Sequence, residues 1–395
     1  MQTRLKAARQ EQRWGQQRLI TELERAARER GIRLPARASL KAQISRWENG
    51  WVRPSELYCD LLRDAYHLED QDLGIQAHPL AANGVAPVID RTAMLAPPLP
   101  QRVSPDMLAC ARDQLAALAR WDNMVGPHQV LPTVVTQAVQ MEQLLSQSND
   151  ALRPHTLELC VSYAEFAGWL HQDAGFTDAA VAWSDRARDY AEELGDAHLR
   201  SYVLMRKSNL ALEGGDGARS LSLANSSLAA SERLTPRLRA LGLRQRALAL
   251  ATMGDKSGCE TALAASAEAV QQVPVGEDHL SYCTPSYVLM ESGRCWLMLD
   301  QPTKAVTTLE AAVEQWPDAF LRDRGLALAR LARALLANRE VDRACALALE
   351  ATEVARSTAS ARTVAQLRLL SRRLTHYLDV PVVSDVQVEL KQLCE

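Results

Sequence analysis

Residues 168–187, GWLHQDAGFTDAAVAWSDRA, contain the spacing that decides the fold of this chain. Small residues stand at its start and at offsets of 12 and 19, namely Gly168, Ala180 and Ala187. A turn at Gly175 separates the two halves, so the stretch predicts two antiparallel helices that touch at their small side chains. One such pair cannot bury its apolar faces alone and needs neighbouring pairs.

The same offsets recur four more times along the chain, at intervals of about 40 residues. The further sets are Ser208, Ser220 and Ser227; Ala247, Cys259 and Ser266; Gly293, Ala305 and Ala312; and Ala332, Ala344 and Ala351. This layout resembles tetratricopeptide repeats, and the resemblance implies an α-solenoid in which helix pairs stack on one another. The repeats are expected near residues 160–195, 200–234, 239–273, 285–317 and 324–357.

The composition argues against several classes of protein. Of the 395 residues 47% are hydrophobic, yet we find no signal peptide and no apolar run long enough to span a membrane, and we expect a cytoplasmic protein. The eight cysteines form no CxxC pair, which favours buried thiols over zinc ligands or disulfides. The histidines are scattered and nucleotide-binding or metalloprotease motifs are missing, so we expect no enzyme, no metal and no cofactor.

A second informative stretch is residues 39–54, SLKAQISRWENGWVRP. Leu40, Ile44 and Trp47 stand at i, i+4 and i+7, and therefore share the buried face of a short helix. The positions left outward carry polar and basic side chains, namely Lys41, Gln43, Ser45 and Arg46. Because such side chains suit base edges and phosphates in a DNA major groove, the stretch predicts DNA binding.

Charge is distributed unevenly along the chain. The net charge is −3, but residues 1–57 hold 13 Lys and Arg against 6 Asp and Glu, and the remaining 338 residues hold 32 against 42. A basic segment followed by an acidic one fits a nucleic-acid-binding head whose acidic body is not itself attracted to DNA. A solvated, arginine-rich helix face is the alternative explanation of the same count.

Residues 1–73 resemble the helix-turn-helix domain of the phage-repressor and XRE family. The resemblance rests on WGQQRL from Trp14 onward, on ISRWENG from Ile44 onward, and on Arg53-Pro54 after it. It implies a recognition helix in the major groove, and a homodimer on an inverted-repeat operator in double-stranded DNA. The segment before Ile44 is longer than is usual in this family.

These patterns divide the chain into three parts. Residues 1–75 are predicted to form the XRE-type helix-turn-helix domain, residues 76–105 a linker interrupted by prolines, and residues 106–395 the tetratricopeptide-like repeat domain. The predicted fold class is therefore all-α, with an N-terminal helix-turn-helix domain, a Pro-containing linker and an α-solenoid of helical pairs.

The helix-turn-helix resemblance implies DNA contacts for eight residues. Gln16, near the start of the second helix, is expected to bind a phosphate, as are Arg37 and Arg53, and the outward side chains of the third helix are expected to read bases. Glu48 is expected to pair with an arginine of the same domain. The eight are Gln16, Gln17, Arg37, Lys41, Gln43, Ser45, Arg46 and Arg53.

In a solenoid of helix pairs, the first helix of each pair lines the inner face. Positions one after, three before and six before each small reference residue should therefore look inward. The candidate ligand-binding residues chosen on this basis are Glu165, Trp169, Tyr202, Asn209, Arg244, Tyr287, Arg294 and Arg333. Such a surface suits a signalling peptide or an acidic small molecule, and the alternative is that several of these side chains merely fill the superhelix.

Three functions fit these patterns. The first is a sequence-specific transcriptional regulator whose repeats mediate dimerisation and sense a peptide or small-molecule effector. The second is a DNA-bound adaptor whose repeats recruit a partner protein without an effector. The third is a repeat scaffold whose head does not bind DNA. Salt-sensitive binding to a palindromic operator separates the first two from the third.

Overall fold

The computed structural model describes residues 4–12, 14–30, 37–48, 54, 56–66, 68, 70–73, 75, 103–229, 233–273, 280–317 and 320–394. Every regular element in these ranges is a helix, so the all-α fold predicted from the sequence is confirmed. The chain divides into two compact units, Met1–Arg91 and Thr92–Glu395, each with its own hydrophobic core. Most of the predicted linker, residues 76–102, lies outside the described residues.

The first unit contains short helices around one core. They are α1 (Arg4–Glu11), α2 (Gln16–Glu29), α3 (Arg37–Glu48), α4 (Glu56–Tyr66) and α5 (Asp70–Leu73). Helix α2 contacts α3 and α4, while α1 contacts α3 and α5. The apolar stripe of α2, which includes Leu19, Ile20 and Leu23, is fully buried in this core together with Leu61 and Leu62 of α4.

The second unit is a succession of antiparallel helix pairs. They are α6 (Pro105–Val125) with α7 (Pro127–Gln147), α8 (Arg153–Asp173) with α9 (Thr177–Leu194), α10 (Ala197–Glu213) with α11 (Gly217–Ser227), α12 (Pro236–Thr252) with α13 (Lys256–Gln271), α14 (Pro285–Met298) with α15 (Pro302–Glu314), α16 (Leu321–Ala337) with α17 (Val341–Thr358), and α18 (Ala361–Leu374) with α19 (Pro381–Cys394). The chain therefore forms the predicted α-solenoid of tetratricopeptide-like pairs.

The small residues at the predicted offsets lie where the helices of each pair touch, and all fifteen are buried. A Cβ atom on Gly168 would lie 3.3 Å from the carbonyl oxygen of Ala180, so the two helices leave little room for a larger side chain there. At the next pair the Ser208 hydroxyl donates to the carbonyl oxygen of Ser220 over 2.7 Å. Close approach and satisfied hydroxyls together explain why small residues occupy these positions.

The solenoid closes on itself. Helix α6 contacts α16 and α17, although ten helices separate α6 from α17 along the chain. Arg322 of α16 pairs with Asp122 of α6, and the Ser360 hydroxyl donates to Asp173 at the end of α8 over 2.8 Å. We call this contact of α6 and the end of α8 with α16, α17 and the residues that begin α18 the seam. Because of the seam, the first helices of the pairs surround an enclosed interior.

Candidate functional site

In the first unit, α3 turns one face to the core and another to solvent. Leu40 and Ile44 are fully buried and Trp47 is 6% exposed, as their helical spacing predicts, whereas Lys41 is exposed. The Trp47 ring packs against Tyr58 of α4, with ring centroids 4.8 Å apart. Helix α3 is therefore held by its apolar side and carries a basic side chain on its outer side.

Glu48, at the end of α3, joins three helices through its carboxylate. Arg9 of α1 donates to both Glu48 oxygens, over 3.0 Å from Nη2 to Oε2, and the Gln16 amide of α2 donates to Oε2 over 3.0 Å. Arg9 also donates to the carbonyl oxygen of Trp14 over 2.7 Å. The bond to Glu48 raises the pKa of Arg9. We call these residues the Glu48 junction. It contains the ion pair with an arginine of the same domain that was expected for Glu48.

The Glu48 junction changes the interpretation of Gln16. We expected its side chain to be available for a DNA phosphate, but its amide nitrogen is engaged by Glu48. Arg37 is likewise exposed yet paired with Glu24 of α2, over 2.8 Å from Nε and 2.6 Å from Nη2. To bind a phosphate, both side chains would have to give up a carboxylate partner within the first unit.

The remaining predicted DNA contacts fall into two groups. Gln17 and Lys41 are exposed on α2 and α3. The side chains of Gln43, Ser45 and Arg46 lie outside the described residues, as does the whole of Arg53. Their roles stay predictions from the sequence.

In the second unit, five consecutive first helices each place a charged side chain in the interior. Each stands two or three positions before the small reference residue of its helix, and no more than 9% of any is exposed. They are Glu165 of α8, Arg206 of α10, Arg244 of α12, Glu291 of α14 and Arg330 of α16. Prediction from the sequence selected Glu165 and Arg244 but missed the other three. A charged residue two or three positions before each small reference residue is the sequence signal that could have identified them.

Arg206 links α10 to α8. Its Nε donates to Oε1 of Glu165 and its Nη2 to Oε1 of Gln172, each over 2.7 Å. Burial alone would lower the pKa of Arg206, but the Glu165 carboxylate keeps the value raised. The predicted ligand residue Glu165 thus has an internal counter-ion in this structure.

Trp169 of α8 is surrounded by guanidinium groups. The ring centroid lies 4.8 Å from Cζ of Arg206, 5.3 Å from that of Arg322 and 4.2 Å from that of Arg362. Cations are attracted to the electron-rich face of an indole. The predicted ligand residue Trp169 therefore connects the interior charges to the two arginines of the seam.

The seam carries its own buried charges. The Asp173 carboxylate is fully buried and accepts from Nε of Arg362 over 2.8 Å, and Nη2 of Arg362 donates to Asp323 over 2.9 Å. Burial would raise the pKa of Asp173, but the charges of Arg362 and Arg322 hold it below its usual value. For Asp122, in contrast, burial outweighs the attraction of Arg322 and raises the pKa.

Glu291 is the carboxylate at the centre of a second charged group. Nη1 of Arg330 donates to its Oε1 over 2.7 Å, and Nη1 of Arg294 lies 3.6 Å from its Oε2. Burial alone would raise the pKa of Glu291, but the charges of Arg330, Arg294 and Arg244 lower it to about 2. The predicted ligand residue Arg294 is half-buried here and contacts this carboxylate.

Arg244 is buried without a carboxylate contact among the described residues. It is 2% exposed, and its Nη1 donates to Oε1 of Gln245 over 2.8 Å. Its Nη2 lies 3.5 Å from the Met205 sulfur, and its Cζ lies 5.4 Å from the ring centroid of Tyr287. Its Nε has no hydrogen-bond partner within the described ranges.

The other predicted ligand residues also face inward. Tyr202, Asn209 and Tyr287 are buried, and Arg333 is half-buried. Arg333 donates to Gln366 of α18, and burial together with neighbouring arginines lowers its pKa to about 10. The structure thus brings most of the predicted set into the interior, where neighbouring helix pairs bury them. That they bind a ligand stays a prediction.

Other kinds of site were sought in the described part of the chain. No group of three or more His, Cys, Asp or Glu side chains there is placed to hold a metal ion. Its cysteines are free thiols, and among them only Cys110 is exposed. Within the same ranges no helix combines the length and apolar character needed to cross a membrane.

No protein-family model and no curated protein matches this chain. Among solved structures, BtubC (BKLC) from P. vanneervenii is similar at 14% identity and a TM-score of 0.41, over 57% of this chain and 90% of BtubC. A Rap protein complexed with competence and sporulation factor is similar at 12% identity and a TM-score of 0.47, over 74% of this chain and 98% of Rap.

A third similar structure is the putative kinesin light chain of Podosopora anserina, with nearly identical TPR-like repeats. It matches at 16% identity and a TM-score of 0.35, over 49% of this chain and 92% of its own. None of these three TM-scores reaches 0.5, so the assignment of the repeats rests on the helix pairs of this chain itself.

Proposed function

We propose that this chain is a sequence-specific DNA-binding transcriptional regulator. In this proposal the first unit is an XRE-type helix-turn-helix domain in which α2 and α3 form the motif and α3 enters the major groove. The repeat unit mediates dimerisation on an inverted-repeat operator and responds to a peptide or small-molecule effector. Double-stranded DNA, a second copy of the chain and that effector are the partners implied.

The observation that carries the proposal is how α3 is held. Its apolar face, with Leu40 and Ile44, is buried in the core of the first unit, while Lys41 lies exposed on another face. The Glu48 junction fixes the end of α3 against α1 and α2. A helix that must fit a groove needs this kind of rigid support from its neighbours.

Charge supports the same proposal. Residues 1–57 carry 13 Lys and Arg against 6 Asp and Glu, whereas the rest of the chain is acidic. Attraction to phosphate would therefore be confined to the first unit. Several of its arginines, such as Arg37, already pair with carboxylates. We therefore expect the net attraction to DNA to come from basic side chains that do not pair with a carboxylate, such as Lys41.

The alternative is an adaptor whose repeats recruit a partner protein without an effector. One observation favours it: the interior is filled by internal ion pairs, while Trp121 and Met124 on α6 are 58% and 62% exposed. Large apolar side chains on an outer surface suit contact with another protein. Stabilisation of the chain by a small ligand would favour the effector, and capture of a specific protein partner would favour the adaptor.

The test begins with selection of genomic fragments by the full-length protein, which yields the operator and its symmetry. Retardation of that operator is then compared among wild type, Lys41→Ala, Arg46→Ala and Lys256→Ala. Lys256 is exposed at the start of α13 and serves as the matched control. We expect the first two variants to lose at least ~10-fold in affinity, with a shallower salt dependence for a lost phosphate contact.

Two results would contradict the proposal. One is the absence of any selected sequence at low salt, where nucleic-acid binding is strongest. The other is an equal loss in Lys256→Ala and in the two α3 variants, since this would place the DNA contact outside α3.

A further inference from the structure

Arg244 differs from the other buried arginines of the repeat unit in having no counter-ion within contact. Arg206, Arg322, Arg330 and Arg362 each pair with a carboxylate. Among the described residues no carboxylate oxygen lies within 4.0 Å of the nitrogens of Arg244. The half-buried Arg333, which donates to Gln366, also has no carboxylate in contact there, so Arg244 is the fully buried one of these two guanidinium groups.

This arrangement is costly for folding alone. Burial alone would lower the pKa of Arg244, and the attraction of Tyr287 and Glu291, which make no hydrogen bond to it, keeps the value raised. A buried guanidinium with hydrogen-bond donors left unused still loses hydration that an apolar side chain of similar volume would not lose. A methionine or leucine at position 244 would serve packing at least as well. Attraction to Glu291 accounts for part of this charge, and the unused hydrogen-bond donor Nε of Arg244 points to a further role that needs it.

The free edge of Arg244 has the geometry that carboxylates prefer. Nη1 is engaged by Gln245, but Nε has no partner and Nη2 meets only the Met205 sulfur at 3.5 Å. Nε and Nη2 form the side of a guanidinium that donates two parallel hydrogen bonds to a carboxylate. Only the weak sulfur contact would have to be given up.

The side chains around this edge are apolar or aromatic. Met205 and Tyr287 contact the guanidinium, and the Tyr282 ring packs edge-on against Tyr287 at 5.3 Å. The Gln245 amide nitrogen and the Asn209 amide oxygen are also buried without a hydrogen-bond partner among the described residues. These groups suit a ligand with an anionic end and an aromatic or apolar body.

We propose that Arg244 anchors an anion-binding site in the interior of the repeat unit, and that its ligand is a carboxylate attached to an aromatic or apolar body. The inference rests on the proposed effector role of the repeats and names the chemical class of that effector. A free carboxylic acid and the C-terminus of a short peptide share this chemistry, and the test distinguishes them.

Access to the site requires movement. Only 2% of Arg244 is exposed, so the ligand enters when neighbouring repeats separate. We therefore expect association well below the ordinary range of about 10⁵–10⁷ M⁻¹s⁻¹.

The test uses full-length wild type, Arg244→Met, Arg206→Met and Arg246→Gln. Arg246 is exposed on α12, two residues from Arg244, and is the matched control. Without ligand, we expect Arg244→Met to lower the Tm less than Arg206→Met does, because Arg244 has no carboxylate in contact and is attracted to Glu291 only at longer range. Arg206→Met should lower the Tm, because it leaves the Glu165 carboxylate without its partner.

Binding is then measured without DNA by thermal shift and calorimetry. The probes are 4-hydroxyphenylacetate, a tyrosine-terminated tripeptide with a free C-terminus, and the amide of each. A carboxylate probe at about 100 times its Kd should raise the Tm of wild type and Arg246→Gln by about 5 °C. The amides should not, and Arg244→Met should lose at least ~10-fold in affinity. Which of the two acids binds identifies the source of the carboxylate.

The inference is overturned if neither acid binds wild type, if Arg244→Met binds as tightly as Arg246→Gln, or if Arg244→Met is destabilised as much as Arg206→Met. None of these results depends on DNA. If the protein retards the operator but binds no carboxylate, this inference is rejected and the proposal of DNA binding stands. If it binds a carboxylate but retards no operator, only the proposal of DNA binding is rejected.

Discussion

Gly126 and Thr358 approach so closely that a Cβ atom on Gly126 would lie 1.6 Å from the carbonyl oxygen of Thr358. Gly126 connects α6 to α7 with a φ of +82°, and Thr358 ends α17. The two backbones therefore touch with no side chain between them. Closure of the solenoid at this point requires glycine.

This contact makes Gly126→Ala a specific test of closure. The new methyl group would overlap the Thr358 backbone, which cannot rotate away as a side chain could. We expect the seam to open, with a rise in the radius of gyration by small-angle scattering and a fall in Tm.

The matched control is Gly195→Ala. Gly195 also has a positive φ, +72°, but a Cβ there would meet nothing within 4 Å. At Gly195 the backbone is left-handed helical (ψ +14°), where alanine costs about 1 kcal/mol, whereas at Gly126 (ψ +174°) it lies in a region that essentially only glycine adopts. The difference between the variants therefore reports the steric contact together with the larger backbone cost at Gly126. Equal Tm values and equal radii for the two variants would show that the seam does not close in solution.

A second prediction concerns the buried charges of the seam. Asp173→Asn removes the carboxylate that accepts from Arg362 and Ser360. Since those partners hold the pKa of Asp173 below its usual value, the charged form stabilises the folded chain. We expect the variant to lose about 3 kcal/mol in free energy of unfolding, as is typical when one partner of a buried pair is removed.

Glu350→Gln is the control for Asp173→Asn. Glu350 pairs with Arg324 over 2.7 Å, but both side chains are substantially exposed. An exposed pair contributes at most about 1 kcal/mol. Denaturant unfolding measures the free energy of unfolding of the two variants. A smaller loss of this free energy for Asp173→Asn than for Glu350→Gln would show that the buried charges of the seam do not stabilise the fold.

The contacts at the seam could not be predicted from the sequence. The offsets of 12 and 19 residues fix contacts within one helix pair, such as Ser208 with Ser220, because the chain between them is short. Arg322 and Asp122 meet across 200 residues, and that contact depends on the rotation accumulated over all the intervening pairs. A small change in rotation per pair would separate them, so no local pattern specifies the contact.

The same reasoning applies to the interior residues. Their offsets from the small reference residues predicted that Glu165 and Arg244 look inward, and both are buried in the structure. Their burial could not be predicted from their own helices, because it depends on the neighbouring pairs, such as α10, whose Arg206 contacts Glu165. The ion pair between Glu165 and Arg206 depends on how two neighbouring helix pairs align. The charged residues that recur two or three positions before the small residues carry information about this alignment, whereas the spacing of the small residues does not.

A third prediction concerns pH. His171 of α8 is 1% exposed, and one of its ring nitrogens, Nδ1, lies 2.7 Å from the carbonyl oxygen of Ala167. Burial lowers the pKa of His171 below its ordinary 6.5. The unfolded chain therefore binds a proton at this residue at a higher pH than the folded chain does. Its contribution to stability is present above pH 6.5 and is lost as the pH falls toward the folded value.

His171→Phe should flatten this dependence. As the pH drops below 6.5, we expect the wild-type free energy of unfolding to fall more steeply than that of the variant, by at most about 1.4 kcal/mol per pH unit. His198→Gln, at an exposed position at the start of α10, is the control and should keep the wild-type slope. Parallel curves for all three proteins would mean that His171 takes up its proton as readily in the folded chain as in the unfolded one.

The last prediction connects the Glu48 junction to DNA binding. Glu48 is 2% exposed and directs its carboxylate at Arg9 and Gln16, so it cannot itself reach a groove in this arrangement. Glu48→Gln leaves the Arg9 guanidinium without its charged acceptor, which should destabilise the first unit by about 2 kcal/mol. Faster hydrogen exchange in α1, α2 and α3, with the repeat helices unchanged, would report that loss.

Affinity for the selected operator should fall with it, because α3 would no longer be fixed against α1 and α2. Raising the protein concentration should recover full retardation with the same sequence preference, since no base contact has been removed. Glu29→Gln is the matched control, because its exposed carboxylate pairs with Arg25 one turn away on the same helix. If Glu48→Gln changed which sequence is preferred, Glu48 would itself contact DNA and the Glu48 junction would not be purely structural.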